Sequence, residues 1–176
     1  MRKVSWNASN AARENSKHEE HIRKKNIAFL TCEDWMTSKL YTVGPGDSVD
    51  RARALLRTHR INQLPVISEG ELVGIVTDRD LRGSGLTAAG ASAPSKDAGR
   101  VTGETPVESV MTHPAIALAP HSTLISAAEV ICQQRIGSVP IADGGRPVGI
   151  VTRSDILEAL VVFGTGRHTR LNLPRA

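Results

Sequence analysis

Apolar residues in the first half of the chain follow a helix pattern and then two strand patterns. Positions spaced as on one face of a helix are Val49, Ala52, Leu55 and Leu56. Apolar strands follow at 64–67 and 72–77, joined by a short turn that contains Gly70. A short strand at 42–43 precedes the helix, and a last helix begins at Asp78. This half therefore predicts the order β-α-β-β-α.

The second half repeats that pattern. Its helical positions are Leu124, Ala127, Ala128 and Ile131. The expected strands lie at 115–118, 139–142 and 147–152, and a last helix begins at Arg153. Helix starts are predicted in both halves by capping residues, at Asp47 or Ser48 in the first half and at Ser122 or Thr123 in the second.

The two halves are also related residue by residue. Residues 36–80 match residues 111–155 without a gap, and 14 of the 45 positions are identical. The longest shared run, Val-Gly-Ile-Val-Thr, occupies 73–77 and recurs at 148–152, and Asp80 recurs as Asp155. Two copies are too few for a solenoid, so the repeat predicts a pair of units packed face to face.

Composition divides the chain into five parts. A basic helical extension is predicted at 1–32, the first repeat at 33–86 and the second repeat at 106–163. A linker rich in Gly, Ala and Ser joins them at 87–105, and a basic tail occupies 164–176.

The net charge of +4 belongs to the ends of the chain. Residues 1–30 carry +4 and residues 164–176 carry +3, whereas residues 31–163 carry −3. A folded nucleic-acid-binding face needs basic residues clustered within the domain, and five aromatic residues are too few for a base-stacking platform. We therefore do not expect a nucleic-acid partner.

Other candidate chemistry is weak. Cys32 and Cys132 are isolated thiols, which is typical of a reducing compartment and gives no zinc site. Neither a secretory signal nor a membrane-length apolar run is present, so the expected location is the cytoplasm, with no membrane partner. No nucleophile elbow, P-loop or H-E-x-x-H motif occurs, and we expect no enzymatic activity and no metal site.

The landmarks that recur in both halves resemble the CBS domain. They are the Leu-Pro-Val and Val-Pro-Ile strands, the acidic-Gly turn, and Gly-Ile-Val-Thr-x-x-Asp, over roughly residues 33–163. A tandem pair of this family, a Bateman module, is similar in architecture. The resemblance implies an α/β (α+β) fold of two β-α-β-β-α repeats packed with pseudo-twofold symmetry, here standing alone with an N-terminal helical extension.

The resemblance also implies ligand sites in two clefts between the repeats. The Asp of each Thr-x-x-Asp motif would hold ribose hydroxyls, and the Thr hydroxyl would lie near phosphate. The motif residues are Thr77 and Asp80 in one cleft and Thr152 and Asp155 in the other. The adenine would lie against the opposite unit, on Thr112, Ala117 and Ile136 in the Asp80 cleft and on Thr37, Thr42 and Ile61 in the Asp155 cleft. Arg79 and Arg153 could neutralise phosphate.

The same motif has a purely structural interpretation. Thr-x-x-Asp is close to a helix capping box, in which the Thr and the acid satisfy backbone N–H groups. Duplication cannot separate the two interpretations, because a repeat copies structural residues as faithfully as functional ones. Many nucleotide-binding members carry a basic residue just before the strand proline, where Asn62-Gln63 and Gly137-Ser138 stand here. This departure favours a singly charged or neutral adenosyl ligand over a diphosphate or triphosphate.

Two functional hypotheses follow. The first is a regulatory or sensor module that needs no cofactor and binds an adenosine-containing ligand. The candidate ligands are AMP, ADP and ATP, and NAD and S-adenosylmethionine are further candidates. The alternative is a ligand-independent dimerisation scaffold that regulates an unidentified partner protein. Both hypotheses include a homodimer, which is common for paired units of this family.

Overall fold

The computed structural model describes residues 27–82 and 102–164, and within them each repeat folds into helices and one hairpin. The first half contains α1 (Cys32–Trp35), α2 (Val49–His59), β1 (Gln63–Ser68), β2 (Glu71–Thr77) and α3 (Asp78–Leu81). The second half contains α4 (Leu124–Gln134), β3 (Ser138–Asp143), β4 (Arg146–Thr152) and α5 (Arg153–Gly164). Two 3-10 turns complete the described elements: Ile27–Phe29 precedes α1, and Val107–Ser109 precedes α4. The predicted α+β class is confirmed.

The two hairpins have the same irregularities. Strand β1 pairs with β2 and β3 pairs with β4, both antiparallel, and the register shifts at Val66/Ile67 in one hairpin and at Ile141/Ala142 in the other. Each turn has two residues with positive φ, Glu69 and Gly70 (52° and 86°) and Gly144 and Gly145 (54° and 87°). These angles match the twist of a two-residue hairpin turn. The strands and turns predicted from the sequence are confirmed.

The predicted short first strands are single bridges instead. Val43 bridges Val66, and Leu118 bridges Ile141, both in parallel. In a parallel ladder the next hydrogen bond would need an N–H group from the residue before Val66, and that residue is Pro65. Pro140 stands at the same place in the second hairpin. Because proline has no N–H, each pairing stops after one residue.

Helices α2 and α4 begin at the capping residues that their sequences predict. Ser48 Oγ accepts from Arg51 N at 3.2 Å, and Thr123 Oγ1 accepts from Ser126 N at 3.0 Å. Of the two predicted capping residues in each half, the second is therefore the one used. Both helices end on an arginine in the left-handed region, Arg60 in the first repeat and Arg135 in the second.

The segment in front of each repeat packs on the other repeat. Leu124 N donates to Leu30 O at 2.8 Å, and Cys32 N donates to Ser122 O at 2.7 Å. In the mirror arrangement, Val49 N donates to Thr105 O at 2.9 Å. We therefore distinguish two lobes: the first lobe comprises residues 41–82 and 102–112, and the second lobe comprises residues 27–37 and 115–164.

Each lobe has its own aliphatic core that combines both parts of the chain. The first-lobe core consists of Val43, Val49, Ala52, Leu56, Leu64, Val66, Val76, Leu81 and Val107. The second-lobe core consists of Leu30, Cys32, Trp35, Leu124, Ala127, Ile141, Val151, Ala159 and Val162. Because Val107 and Trp35 are buried in the lobe of the other repeat, neither repeat completes its core from its own residues.

Two glycines allow a methionine from the other repeat to lie directly on a strand. A Cβ on Gly149 of β4 would lie 2.2 Å from Sδ and 2.6 Å from Cγ of Met36. A Cβ on Gly74 of β2 would lie 2.7 Å from Sδ of Met111. Only glycine permits these approaches, and they bring the residues after each methionine to the edges of β2 and β4.

The remaining predictions for the chain ends and linker fall mostly outside the described residues. The basic extension before residue 27, the linker through residue 101 and the tail after residue 164 all lie there. At the end of the extension, Ile27–Phe29 forms a 3-10 turn. Within 27–82 and 102–164, no helix has both the length and the apolarity needed to cross a membrane.

Candidate functional site

The two Thr-x-x-Asp motifs have the same internal geometry. In the first, Asp80 Oδ2 accepts from Thr77 N at 2.8 Å and from Thr77 Oγ1 at 2.7 Å, while Asp80 N donates to Thr77 Oγ1 at 3.3 Å. In the second, Asp155 Oδ2 accepts from Thr152 N and Oγ1 at 2.8 and 2.7 Å, and Asp155 N donates back at 3.3 Å. The capping arrangement predicted as the structural alternative is therefore present in both repeats.

Capping leaves part of the Asp80 carboxylate available. Both bonds that Asp80 accepts end on Oδ2, and Oδ1 accepts none from the residues described in the structure. The side chain is half-buried, so Oδ1 can be reached from solvent. Asp155 is more enclosed, with 5% of its surface exposed. A capping role and a ligand-binding role therefore use different oxygens of the same carboxylate at Asp80.

A threonine of the other repeat lies beside the strand that leads to each motif. Thr112 N donates to Ile75 O at 2.9 Å, and Ile75 N donates to Thr112 O at 3.1 Å. Thr37 N donates to Ile150 O at 2.9 Å, and Ile150 N donates back at 3.1 Å. Ile75 and Ile150 are each two residues before the Thr of their motif. The candidate Thr112 is thus held near the Asp80 motif, and Thr37 near the Asp155 motif.

The contacts of the candidate Ile136 connect it to its own repeat. Its carbonyl oxygen accepts from Arg153 Nε at 3.1 Å and from Arg153 Nη2 at 2.8 Å. The next residue, Gly137, faces the first lobe, because a Cβ there would lie 3.6 Å from Gln63 Oε1. The segment at 136–137 therefore lies between the Asp155 motif and the start of β1.

The remaining candidates lie outside the strands, next to the bridges and turns of their own repeats. Thr42 precedes Val43, which bridges β1, and Ala117 precedes Leu118, which bridges β3. Ile61 directly follows the left-handed Arg60, and its N–H donates to Leu56 O at 3.0 Å. Thr42 and Ile61 are half-buried, and Ala117 is exposed.

Cationic groups accompany both motifs. Arg79 and Arg153 are exposed. The guanidinium of Arg153 has five N–H donors and uses two of them on the Ile136 carbonyl. At the first motif, Arg82 pairs with Asp78. The side-chain chemistry at both motifs therefore combines a carboxylate acceptor with nearby arginine donors, which suits a ligand carrying hydroxyl groups and a limited negative charge.

The sequence interpretation did not assign a role to the two methionine-glycine contacts that position Thr37 and Thr112. Met36 and Met111 are identical positions of the repeat, and so are Gly149 and Gly74. That double identity was a usable signal, because a glycine inside a strand often marks the close approach of another chain segment. No group of three or more His, Cys, Asp or Glu residues suitable for a metal occurs within 27–82 and 102–164.

Comparison with known proteins gives a consistent result. A family model described as CBS domain matches residues 32–85 and 107–162, more than half of the chain. The CBS domain-containing protein YhcV of Bacillus subtilis (strain 168) is 32% identical over 124 residues, which cover 70% of this chain and 81% of YhcV.

Solved structures of similar proteins include two with bound ligands. CBSX2 in complex with AMP matches with a TM-score of 0.63 and 27% identity, over 75% of this chain and 97% of that one. The CBS domain pair of protein MJ0100, in complex with 5′-methylthioadenosine and S-adenosyl-L-methionine, matches with a TM-score of 0.62 and 26% identity, over 79% of this chain and 99% of that one.

Proposed function

The chain belongs to the CBS domain family, and from that premise we propose that it is a regulatory module that binds an adenosine-containing ligand in the Asp80 cleft, the Asp155 cleft or both. The observation that carries this proposal is the divided use of the Asp80 carboxylate. Oδ2 caps the helix, and Oδ1 accepts no hydrogen bond from the described residues, while Thr112 of the other repeat bridges Ile75 on the strand that leads to this motif. An ionised carboxylate oxygen accepts strongly from a hydroxyl, as ribose would supply.

The part of the ligand that we expect the protein to recognise is adenosine. The two solved relatives are named with AMP, with 5′-methylthioadenosine and with S-adenosyl-L-methionine, which share an adenosine group and differ in charge. At the start of the second hairpin, Ser138 is 3% exposed and offers no cation to a phosphate chain. Arg79 lies beside one motif and Arg153 beside the other, so a single arginine there can balance one phosphate but not the charge of a triphosphate.

A regulatory role follows from what such a ligand would touch. Each cleft combines a motif from one repeat with a threonine from the other, so an occupant would contact both repeats. A ligand shifts a conformational equilibrium only by its differential affinity for the two arrangements. We infer regulation of a partner rather than catalysis, with no required cofactor. The proposed location is the cytoplasm, in keeping with the free thiols of Cys32 and Cys132.

Isothermal titration calorimetry of the full chain tests the proposal. We expect saturable heat with AMP or S-adenosylmethionine, and a higher melting temperature in the presence of the same ligand, because binding to the folded state stabilises it. ADP, ATP and NAD complete the series, and GMP is the control for the base. The absence of both heat and thermal shift with every adenosyl compound would refute the ligand-binding function.

The second candidate function is a scaffold that dimerises without a ligand and presents a surface to a partner protein. The observation in its favour is an apolar surface on the second lobe that the described residues leave uncovered. Light scattering of the full chain without ligand should report twice the chain mass of 18.9 kDa. A strict monomer at micromolar concentration would exclude the scaffold and leave the nucleotide proposal standing.

A further inference from the structure

The side of the Asp80 cleft that comes from the other repeat is a short segment crossing from one lobe to the other. At its start, Thr112 is held on β2 by two backbone hydrogen bonds with Ile75. At its end, Leu118 is bridged to β3 in the second lobe. The five residues between, 113–117, are mostly exposed and include the candidate Ala117. We call them the crossing segment, and the shape of the cleft depends on how this segment is fixed.

His113 connects the crossing segment to the first lobe. Its Nδ1 lies 2.7 Å from Val73 O, and the two residues are 40 positions apart in the chain. Because a carbonyl oxygen can only accept, Nδ1 carries the hydrogen, and both the neutral Nδ1–H ring and the protonated ring can donate it. Among the residues of the crossing segment, His113 alone makes a hydrogen bond to another part of the described chain.

The acceptor of this hydrogen bond lies at the bulge of the first hairpin. Gly74 and Leu72 of β2 have partner residues on β1, and Val73 between them has none. The extra residue of a bulge is left out of the ladder, so its backbone groups need partners from elsewhere. His113 supplies a donor to one of these groups, and the bulge thereby becomes a point of attachment for the crossing segment.

The other repeat shows that the fold does not require this histidine. Val148 likewise has no partner residue on β3, but the residue equivalent to His113 is Ser38. Ser38 is exposed and makes no hydrogen bond to the described residues. That crossing is held in another way, by Tyr41, whose ring stacks on His59 at 3.5 Å between centroids. The hydrogen bond of His113 is therefore a property of the Asp80 cleft alone.

We propose that His113 is a positioning residue of the Asp80 cleft, which holds the crossing segment on β2 and so sets Thr112 and Ala117 in place before a ligand binds. This inference rests on the proposed binding of an adenosine-containing ligand. A ligand that contacts both lobes binds only those molecules in which the two sides of the cleft are correctly placed, and its apparent affinity falls with that fraction. His113 acts on the crossing segment and not on the ligand itself.

Calorimetry with His113→Ser, which copies Ser38 of the other repeat, tests the proposal. We expect this variant to bind AMP about fivefold more weakly, a change of the size that one net hydrogen bond contributes. His113→Asn is the rescue variant, because its Nδ2–H can donate in place of Nδ1–H, and its affinity should stay within about twofold of the wild type. If S-adenosylmethionine is the compound that gives heat with the wild type, it replaces AMP in both titrations.

His121→Ser is the matched control for the loss of a histidine ring. His121 is exposed and makes no hydrogen bond to the described residues, and it lies outside the crossing segment. The control should bind AMP as the wild type does. A loss of affinity equal to that of His113→Ser would assign the effect to the general removal of an imidazole and overturn the inference.

Nitrogen-15 NMR of the full chain gives a readout that needs no ligand. The neutral His113 ring should carry its hydrogen on Nδ1, since Nδ1 donates to Val73 O. The chain has six histidines, and the His113 signal is identified by its absence from the spectrum of His113→Asn. An Nε2–H ring would mean that the hydrogen bond is not formed in solution, and the inference would fail.

The outcomes separate this inference from the proposed function. If the wild type gives neither heat nor thermal shift with any adenosyl compound, the ligand-binding function fails and the positioning role fails with it. If the wild type binds and His113→Ser binds equally well, the function stands and the inference is wrong, even where the melting temperature drops. Equal losses in His113→Ser and His113→Asn, or binding that only Asp155→Asn removes, would overturn it as well.

Discussion

Replacing Asp80 with asparagine is expected to lower the affinity of the Asp80 cleft for AMP at least about tenfold and to change stability by less than about 1 kcal/mol. The carbonyl oxygen of the new amide can take the place of Oδ2 and accept from Thr77 N and Oγ1, so the cap survives. The amide NH₂ then replaces Oδ1, so a donor stands where ribose needs a charged acceptor. Losing a charge-assisted hydrogen bond costs about 1.5–3 kcal/mol, and 1.4 kcal/mol is about tenfold in affinity.

Asp78→Asn is the matched control for this substitution. Asp78 lies in the same first turn and pairs with Arg82, but it takes no part in the Thr77 cap. Its replacement removes the same charge from the same neighbourhood and should leave AMP affinity within about twofold, as expected for a surface ion pair. Equal losses in both variants would assign the effect to general electrostatics. A lower melting temperature with unchanged affinity for Asp80→Asn would leave the motif with a capping role alone.

Asp155→Asn applies the same test to the second cleft. The helix that follows Thr152 has 12 residues, against four for the helix after Thr77, and it is anchored by buried Ala159 and Val162. It should therefore tolerate the substitution better, and the loss of binding should be cleaner. Calorimetry of both variants identifies the occupied cleft, because at single occupancy only one of them loses heat. Unchanged titrations for both variants would contradict the ribose assignment.

The elements that depend on local sequence could be predicted. The glycine turn at 69–70, the cap at Ser48 and the helix starts at Asp78 and Arg153 depend on neighbours within a few residues. The first strands were predicted too long, because Pro65 acts on a segment that lies much earlier in the chain. A proline in one strand limits its partner only after the two strands are known to pair in parallel.

The exchange of segments between the lobes could not be predicted from periodicity. Val107 and Trp35 read as ordinary apolar residues at the start of their own repeats, yet each completes the core of the other. Helical and strand spacing do not indicate in which lobe a residue is buried. That depends on contacts between residues far apart in the chain, such as the hydrogen bond between Leu30 and Leu124. The candidate clefts depend on this same exchange, since it brings Thr112 and Thr37 to motifs of the opposite repeat.

Gly149→Ala is expected to destabilise the protein by about 1–3 kcal/mol, because the new methyl group would overlap Met36. The overlap involves Cγ at 2.6 Å and Sδ at 2.2 Å, which rotation of the side chain could move, and also Cβ at 3.0 Å, which rotation leaves in place. Either Met36 or the edge of β4 must move, and both changes weaken the bridge between Thr37 and Ile150. Urea unfolding of the full chain at constant m-value measures the loss.

Two further measurements show whether the loss comes from the contact between the repeats: Gly46→Ala is the control substitution, and a double-mutant cycle with Met36→Ala measures the contact itself. A Cβ on Gly46 meets no atom within 4 Å, so Gly46→Ala should be neutral or slightly stabilising, as a glycine replacement without strain is. Met36→Ala removes Cγ and Sδ, so the Gly149→Ala, Met36→Ala double variant should lose clearly less stability than the two single losses added together. Strict additivity would mean that the repeats do not meet at this point. A double variant that is more stable than the sum of the two single losses would show that Gly149 and Met36 interact. The stability of β4 and the position of Thr37 at the Asp155 cleft would then depend on the same contact.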